Sequence, residues 1–319
     1  MEEGILRDNI YRRAVEKNIG KKNKCDEDSM NISLSSFASY RDINNDSCDD
    51  KFHFCVLALI EAANNLRIRS SDGHIYAKIN ILIPEHYTEN ELKSIIILLN
   101  EYLTLSNIKI AGCSVNVWDC ITYPIMNAEV FLSDTENVKI FSFKEKDIPA
   151  VAFGEIGISY VKAALKDISV FEKCKKRFSD EYISDMDYDL SDMLTDVGGD
   201  VIQKSKLIIN SSECGINGTL WKLAELSDCG FVVDYKRIPV KQSVIELSEL
   251  LKCDPYNMHS LGSGIILTEY PEEVVKNLAD KGIVSAQIGT LTKEKSKIIL
   301  GVETRSNMNR PKKDEIYGI

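Results

Sequence analysis

The hydrophobic positions in the first half of the chain switch repeatedly between helical and strand spacing. Residues 52–66 are apolar on one helical face and predict a buried helix, whereas residues 75–83 are apolar at every second position and predict a strand. Thr88, with Glu91 three residues later, predicts a capping box that starts a helix running to about Leu105. Further elements are predicted at residues 6–17 (helix) and at residues 32–37, 108–115 and 125–132 (strands). This alternation favours a domain of mixed α and β structure.

The second half repeats the alternation with clearer boundaries. Gly215 and Gly218 precede an amphipathic helix, and Gly230 stands where a glycine C-cap is expected. Pro271 predicts the first turn of a later helix, which Gly282 ends. The other predicted elements are strands at residues 231–234, 265–268, 283–288 and 298–300 and a helix at residues 242–251. The order β-α-β-α-β-β is typical of a split βαβ sandwich, with helices on one face of a mostly antiparallel sheet.

Composition narrows the classes of function. The 319 residues suffice for about two domains of roughly 150 residues each. With 39 basic and 49 acidic residues the formal charge is −10, which disfavours a nucleic-acid or anionic-membrane surface. The longest apolar stretches, Cys55–Ile60 and Ile95–Leu99, are far shorter than the ~20 residues that span a bilayer. Nine scattered cysteines without a Cys-x-x-Cys pair predict free thiols, so we expect a soluble cytoplasmic protein.

Three local patterns are candidates for chemistry, and each has a plainer alternative. Gly215 and Gly218 at a helix start are compatible with a phosphate site, but a Walker Lys-Ser/Thr pair is missing and an ordinary glycine turn is equally open. The group Cys48, His53 and Cys55 matches no common zinc module, which favours a buried thiol and an interfacial histidine. The remaining histidines stand in separate segments and show no paired nucleophile.

The third pattern is a run of carboxylates between residues 179 and 200. Asp185, Asp187 and Asp189 have the spacing of a calcium loop, with Asp196 at the twelfth position. Leu190 occupies the position that needs glycine, and the closing glutamate is replaced by a shorter aspartate. A solvated acidic linker is therefore the prediction for this segment.

As an ordered series, motifs along nearly the whole chain resemble those of the AIR synthase-related (PurM-like) superfamily, and most closely its HypE-like hydrogenase maturation factors. The second half contributes a glycine-rich turn and helix at residues 214–230, followed by Ile238-Pro239, Asp254-Pro255 and Ile288-Gly289. The first half contributes Ala62-Ala-Asn-Asn65, Leu82-Ile-Pro-Glu85 and Ile110-Ala-Gly-Cys-Ser114, which are similar to the family's "AND", "LLPE" and "VGGHT" turn. The segment Arg310 to Tyr317 is similar to a "P..DELY" ending.

The resemblance implies an α+β fold with mixed α/β elements, built as two AIR synthase-like domains. Residues 1–140 would form the N-terminal domain, which supplies dimer-forming strands and the nucleotide side. Residues 141–319 would form the C-terminal split-βαβ sandwich. It also implies a homodimer, a possible protein maturation partner, and ATP with Mg2+ between the domains for phosphoryl transfer.

The family's functional positions can be carried over residue by residue. Those implied for the cofactor are Gly112, Cys113, Asn210, Glu213, Gly215 and Gly218, and those implied for the metal are Asp26, Asp28, Asp42 and Asn65. Several depart from the family pattern. Asn65 and Asn210 replace aspartates, Cys113 and Cys214 replace glycines, and Ser114 replaces a histidine.

Asn65 and Asn210 determine which function we expect from the resemblance. Each loss of a carboxylate removes a negative charge from a prospective magnesium ligand, and one charge pair near 4 Å is worth on the order of 4 kcal/mol at an effective dielectric of about 20. We therefore expect a divergent HypE-like protein with weakened or lost ATP and magnesium chemistry, a pseudoenzyme candidate. The alternative is a non-catalytic homodimeric binding or scaffold protein that uses the interdomain cleft for another ligand or partner. A third hypothesis is thiol chemistry at Cys113 and Cys214.

Overall fold

The computed structural model describes residues 35–41, 53–133, 138–139, 141, 147–301 and 304–318, with the backbone alone for 35–41. The strands are β1 (Ser35–Arg41), β2 (His74–Pro84), β3 (Ile108–Trp118), β4 (Ile125–Ser133), β5 (Pro149–Phe153), β6 (Ser205–Asn210), β7 (Gly230–Asp234), β8 (Gly264–Thr268), β9 (Ser285–Thr292), β10 (Lys297–Leu300) and β11 (Arg305–Asn307). The helices are α1 (Leu57–Arg67), α2 (Glu89–Ser106), α3 (Ile158–Ala164), α4 (Ile168–Arg177), α5 (Asp180–Met186), α6 (Gly199–Lys204), α7 (Gly215–Ser227), α8 (Gln242–Leu251) and α9 (Pro271–Asp280).

The first sheet confirms the periodicity of the first half. Its four described strands have the order β1-β4-β2-β3, with β2 antiparallel to β4 and parallel to β3. Alternate residues of β2 and β4 are buried, as expected for a sheet with one face on a core. The capping box of α2 is present: the Glu91 amide donates to Thr88 Oγ1 at 3.3 Å, and the Thr88 amide donates to Glu91 Oε2 at 2.6 Å.

The second sheet has seven described strands in the order β11-β10-β7-β9-β5-β8-β6, and all neighbours are antiparallel except β10 and β7. The expected mostly antiparallel sheet is therefore confirmed, but the expectation of helices on a single face is wrong. Helix α7 packs on one face, through residues such as Leu220, and helices α6 and α9 pack on the other, through Val201 and Val274. Every residue of β8 is buried, so both faces of the sheet need a cover.

The acidic segment 179–200 is folded, so the prediction of a solvated linker is wrong. It forms α5, a short 3-10 helix and the start of α6, and it buries Ile183, Met186 and Met193 in the largest apolar cluster. Asp187 lies 2.7 Å from Lys162 Nζ and 3.2 Å from Lys166 Nζ. Apolar residues interleaved among the carboxylates drive this folding, because each one buried gains roughly 1.5–3 kcal/mol. No group of three or more His, Cys, Asp or Glu able to hold a metal occurs within the described ranges.

The largest apolar cluster joins the two halves of the chain. It includes the buried face of the first sheet and α1, residues of α3 to α5, and Ile316 near the C-terminus. Asn64 adds a polar clamp across this junction: its Nδ2 donates to the Met193 carbonyl at 2.8 Å, and its Oδ1 accepts from the Thr195 amide at 3.0 Å. The two halves of the chain therefore share a buried interface, while the division at residues 140 and 141 stays a prediction.

Other local differences have simple causes. Asp228, not Gly230, is the left-handed residue after α7, with φ of 49°, and Gly230 begins β7 where a side chain would meet the Glu294 and Ser296 carbonyls. The strand predicted at 283–288 is shifted to Ser285–Thr292. Elements between residues 149 and 210 were not predicted. Cys55 is buried, as expected. None of the described helices is long and apolar enough to cross a membrane.

Candidate functional site

Two of the implied site residues meet across the junction between the sheets. Asn65 lies in the last turn of α1, and Asn210 is the final residue of β6. Asn210 Nδ2 donates to Asn65 Oδ1 at 3.2 Å, although 145 residues separate them in sequence. Asn65 is half-buried and Asn210 is only 8% exposed. The structure thus brings together two of the residues that the motif resemblance implied for the site.

Two carboxylates flank this amide pair. Glu61 lies one helical turn before Asn65 on α1, so both side chains share a face. Glu213 follows Asn210 by three residues, and burial together with the negative charge of Glu61 raises its pKa. The Tyr317 hydroxyl donates a hydrogen bond to Glu213, which partly opposes that rise in pKa. Sequence reasoning missed Glu61 and Tyr317; the four-residue spacing from Glu61 to Asn65 was the signal available for the first.

The turn that leads into α7 is hydrogen-bonded to the side chain of Asp314. Cys214 and Gly215 are consecutive left-handed residues with φ of 59° and 52°, and the Gly215 amide donates to the Ser212 carbonyl within the turn. The Cys214 amide donates to Asp314 Oδ2 at 2.5 Å, and Asp314 Oδ1 accepts from the His259 and Ile316 amides at 3.1 and 2.8 Å. Asp314 is 1% exposed, and burial raises its pKa to about 7 despite these donors. The carboxylate of Asp314 therefore already uses the amide that precedes α7.

The two glycines of this turn have reasons to be glycine that involve no ligand. A Cβ atom at Gly215 would lie 2.3 Å from the Met258 carbonyl oxygen, and one at Gly218 would lie 2.5 Å from the Glu213 carbonyl oxygen. Both distances are below any real Cβ contact, so the backbone itself requires the missing side chain. Their role in lining phosphates stays a prediction.

Gly112 and Cys113 lie elsewhere in the fold. They belong to β3, where the predicted "VGGHT" turn is a strand with a bulge opposite Ala77 and Lys78. Gly112 has open space around it, since a Cβ atom there would be 3.7 Å from Lys78 Cγ. The thiols differ in accessibility: Cys113 is exposed, whereas Cys214 is buried and its pKa is raised to about 12. A raised pKa disfavours the thiolate, which is the reactive form.

The described residues do not fit a magnesium ion. Asn65 Oδ1, the oxygen that would face the metal, already accepts an N–H group from Asn210. Hard divalent cations depend on several carboxylate oxygens, and no cluster of three titratable ligands exists in the part of the chain that the structure describes. Asp26, Asp28 and Asp42, the other implied metal residues, lie outside the described residues.

Comparison with solved structures gives the fold. The chain is similar to the E. coli hydrogenase maturation protein HypE (16% identity, 95% of both chains covered, TM-score 0.67). It is also similar to a HypE-HypF complex (16% identity, 97% of this chain and 100% of that chain, TM-score 0.66) and to HypE in complex with ATP (11% identity, 99% and 97% covered, TM-score 0.66). No family model and no curated protein matches the sequence. The similarity covers nearly the whole chain and confirms the expected two-domain AIR synthase-related fold.

Proposed function

We propose that this protein is a divergent HypE-like protein whose interdomain site no longer performs magnesium-dependent ATP chemistry. The observation that carries the proposal is the direct hydrogen bond between Asn65 and Asn210. Two aspartates so close together would repel unless a cation lay between them, because like charges near 4 Å cost on the order of 4 kcal/mol at an effective dielectric of about 20. Two amides need no cation, since one donates to the other. The Asn210 amide nitrogen thereby gains an acceptor without a metal.

The turn before α7 supports the same conclusion independently. The buried carboxylate of Asp314 accepts the Cys214 amide hydrogen of this turn at 2.5 Å, so that amide is already used. A triphosphate placed there would meet the carboxylate. Displacing Asp314 would also leave the His259 and Ile316 amides without this acceptor, at a cost of about 1–3 kcal/mol for each buried group.

We propose that the protein forms a homodimer through the exposed strand β3. Val115, Val117 and Ile110 pair with alternate residues of β2 that are buried on the core face, so they continue that apolar face. All three are nevertheless exposed, between 39% and 60%, and β3 is an edge strand of the described first sheet. An edge strand with an uncovered apolar face favours pairing with another strand, and a second copy supplies an identical one.

The second candidate function is a non-catalytic binding or scaffold protein that uses the interdomain cleft. The cleft favours it because Glu61, Glu213, Asn65 and Asn210 remain polar and converge there, although the amide pair does not suit a metal. A maturation partner belongs to this candidate as well, since one of the similar structures is a HypE-HypF complex. The divergent HypE-like protein and the binding or scaffold protein would both lack phosphoryl transfer. They differ in whether another ligand or partner binds in the cleft.

Thermal unfolding with and without 5 mM Mg-ATP tests the main proposal. A working site would stabilise the folded state by about 2.7 kcal/mol at a hundredfold excess of ligand over its dissociation constant, whereas we expect no shift in Tm. Steady phosphate release above the rate of a heat-inactivated sample would overturn the proposal, and so would a Tm shift that requires both magnesium and ATP.

A further inference from the structure

The C-terminal residues 308–317 form a strap that runs from one apolar cluster to another. Residues 308–314 belong to neither a strand nor a helix, and a short 3-10 helix follows them. Met308, at one end of the strap, is buried in the cluster between α7 and the second sheet. Ile316, near the other end, is buried in the cluster that joins the two halves of the chain. Side-chain burial therefore holds the strap at both ends.

The carboxylate of Asp314 is the polar anchor of the strap. Its Oδ2 atom accepts the Cys214 amide hydrogen at 2.5 Å, from the turn before α7. Its Oδ1 atom accepts the His259 amide at 3.1 Å, from the segment before β8, and the Ile316 amide at 2.8 Å, from the strap itself. One side chain thus serves as the acceptor for three backbone amides, two of which lie 100 and 55 residues away in sequence.

The strap has a weaker hold on the fold than the centre of the second sheet. A buried carboxylate is stable only where hydrogen bonds replace its hydration, and burial raises the pKa of Asp314 to about 7 in spite of its three amide donors. In β8, by contrast, every residue is buried, and Ile266 pairs with strands on both sides. Segments outside the regular backbone hydrogen bonds of a sheet open at a lower free energy than its central strands. We therefore expect the strap to open more easily than β8.

The strap lies against the turn that begins α7. Asp314 accepts the amide hydrogen of Cys214, which is fully buried. The Tyr317 hydroxyl donates a hydrogen bond to Glu213, the residue before Cys214 and one of those implied for the cofactor. Both residues of this turn are therefore in contact with the strap while it is closed.

We propose that the strap is a lid on the turn before α7: residues 308–317 detach as one unit while the two sheets stay folded, which frees the Cys214 amide and uncovers Glu213. The anchors at this end of the strap lie between residues 314 and 317, so they leave together. This inference goes beyond the proposed function, because it concerns access to the site and holds with or without a nucleotide.

Hydrogen exchange of single amides, followed by NMR on the intact protein at one fixed pH, tests the proposal. The Cys214, His259 and Ile316 amides share one acceptor residue, so a single opening of the strap exposes all three. We expect their protection factors to agree within about threefold and to lie at least about tenfold below that of Ile266 in β8. A wider spread among the three, or protection within tenfold of Ile266, would overturn the proposal.

Two matched alanine variants separate opening of the strap from unfolding of the whole protein. Ile316→Ala removes an apolar anchor but no hydrogen-bond acceptor, and we expect it to lower the protection of the Cys214 and His259 amides at least about fivefold. Val274→Ala is the control, because Val274 is a fully buried residue of α9 outside the strap. We expect it to lower the protection of Ile266 and to leave Cys214 and His259 within about threefold.

Either variant can contradict the lid. A smaller effect of Ile316→Ala on the Cys214 and His259 amides would show that the strap does not move as a unit. A larger loss of their protection in Val274→Ala would show that the strap opens only when the protein unfolds. The wild-type measurement remains a complete test if either variant fails to fold.

The result separates from the test of the proposed function, because hydrogen exchange is measured without nucleotide. A Tm shift that requires both magnesium and ATP would remove the proposed function and leave the lid in place. Failure of the three amides to exchange together would remove the lid and leave the proposed loss of ATP chemistry standing.

Discussion

Asn210 Nδ2 donates to Asn65 Oδ1 at 3.2 Å, so the two amides at which the motif resemblance implies aspartates bond directly to each other. The contact uses one donor of Asn210 and the amide oxygen of Asn65. If one of the two residues were an aspartate, its carboxylate could still accept an N–H from the remaining amide. Two ionised aspartates could not form such a hydrogen bond.

The double variant Asn65→Asp/Asn210→Asp should lose about 1–4 kcal/mol of unfolding free energy at pH 7.5 in EDTA. Two carboxylates would face each other without a cation, and the amide hydrogen bond would be lost. Urea unfolding measures the change, and addition of MgCl2 should restore part of it, because a cation can then bridge the pair.

The single variant Asn65→Asp is the matched control, since its carboxylate still accepts from Asn210 Nδ2, and it should remain within about 1 kcal/mol of wild type. A double variant as stable as the single one would show that the two side chains do not face each other.

Gly218→Ala should destabilise the protein by about 1–3 kcal/mol in the absence of any ligand. The added methyl group would lie 2.5 Å from the Glu213 carbonyl oxygen, and the helical backbone of α7 adds no strain of its own that would confuse the result. Gly112→Ala is the control, because its nearest neighbour is 3.7 Å away, and we expect a change within about 0.5 kcal/mol. Chemical denaturation measures the unfolding free energy. An unchanged unfolding free energy for Gly218→Ala would contradict this explanation.

Asp314 should make stability fall as the pH rises through neutrality. Its pKa is raised to about 7 in the folded protein from an ordinary value of 3.8, so between these values the folded state binds more protons than the unfolded state. Stability from this group is complete below about pH 4 and is lost as the pH rises through 7. Integration between pH 5 and pH 8 gives a loss of about 2–3 kcal/mol.

The measurement is the difference in unfolding free energy between wild type and Asp314→Asn across this pH range. The difference isolates Asp314 from His259, whose pKa burial lowers to about 3 and whose contribution has the opposite sign. We expect wild type to lose stability relative to the variant from pH 5 to pH 8. A constant difference across that range would mean that Asp314 keeps one protonation state throughout.

Val117→Lys should convert a dimer into a monomer at micromolar concentration, as measured by light scattering. The substitution places a charge on the exposed apolar face of edge strand β3 without touching the core, since Val117 is 60% exposed. Leu226→Lys, at a 65% exposed position on α7, is the control and should leave the mass unchanged. A monomeric mass for the wild-type protein would contradict the proposed homodimer.

The sequence alone determined most of the elements that rest on local physics. The alternation of β2, the Thr88 capping box and the bounds of α8 follow from side-chain period and from hydrogen bonds within a few residues, and each is confirmed. The ordered motifs also led to the AIR synthase-related fold. Local reasoning failed where the packing of distant segments determines the structure. The acidic segment 179–200 is the example, because its interleaved apolar residues are buried by other parts of the chain at the junction between the sheets.

The candidate site divides in the same way. The replacement of two aspartates by Asn65 and Asn210 is visible in the sequence, but their contact spans 145 residues and that of Cys214 with Asp314 spans 100. Residue types and spacing state which charges are present, whereas only the tertiary structure states which groups those charges face. That is why the sequence predicted a weakened metal site, while the fold decided that Asn210 donates to Asn65 and that Asp314 accepts from the turn before α7.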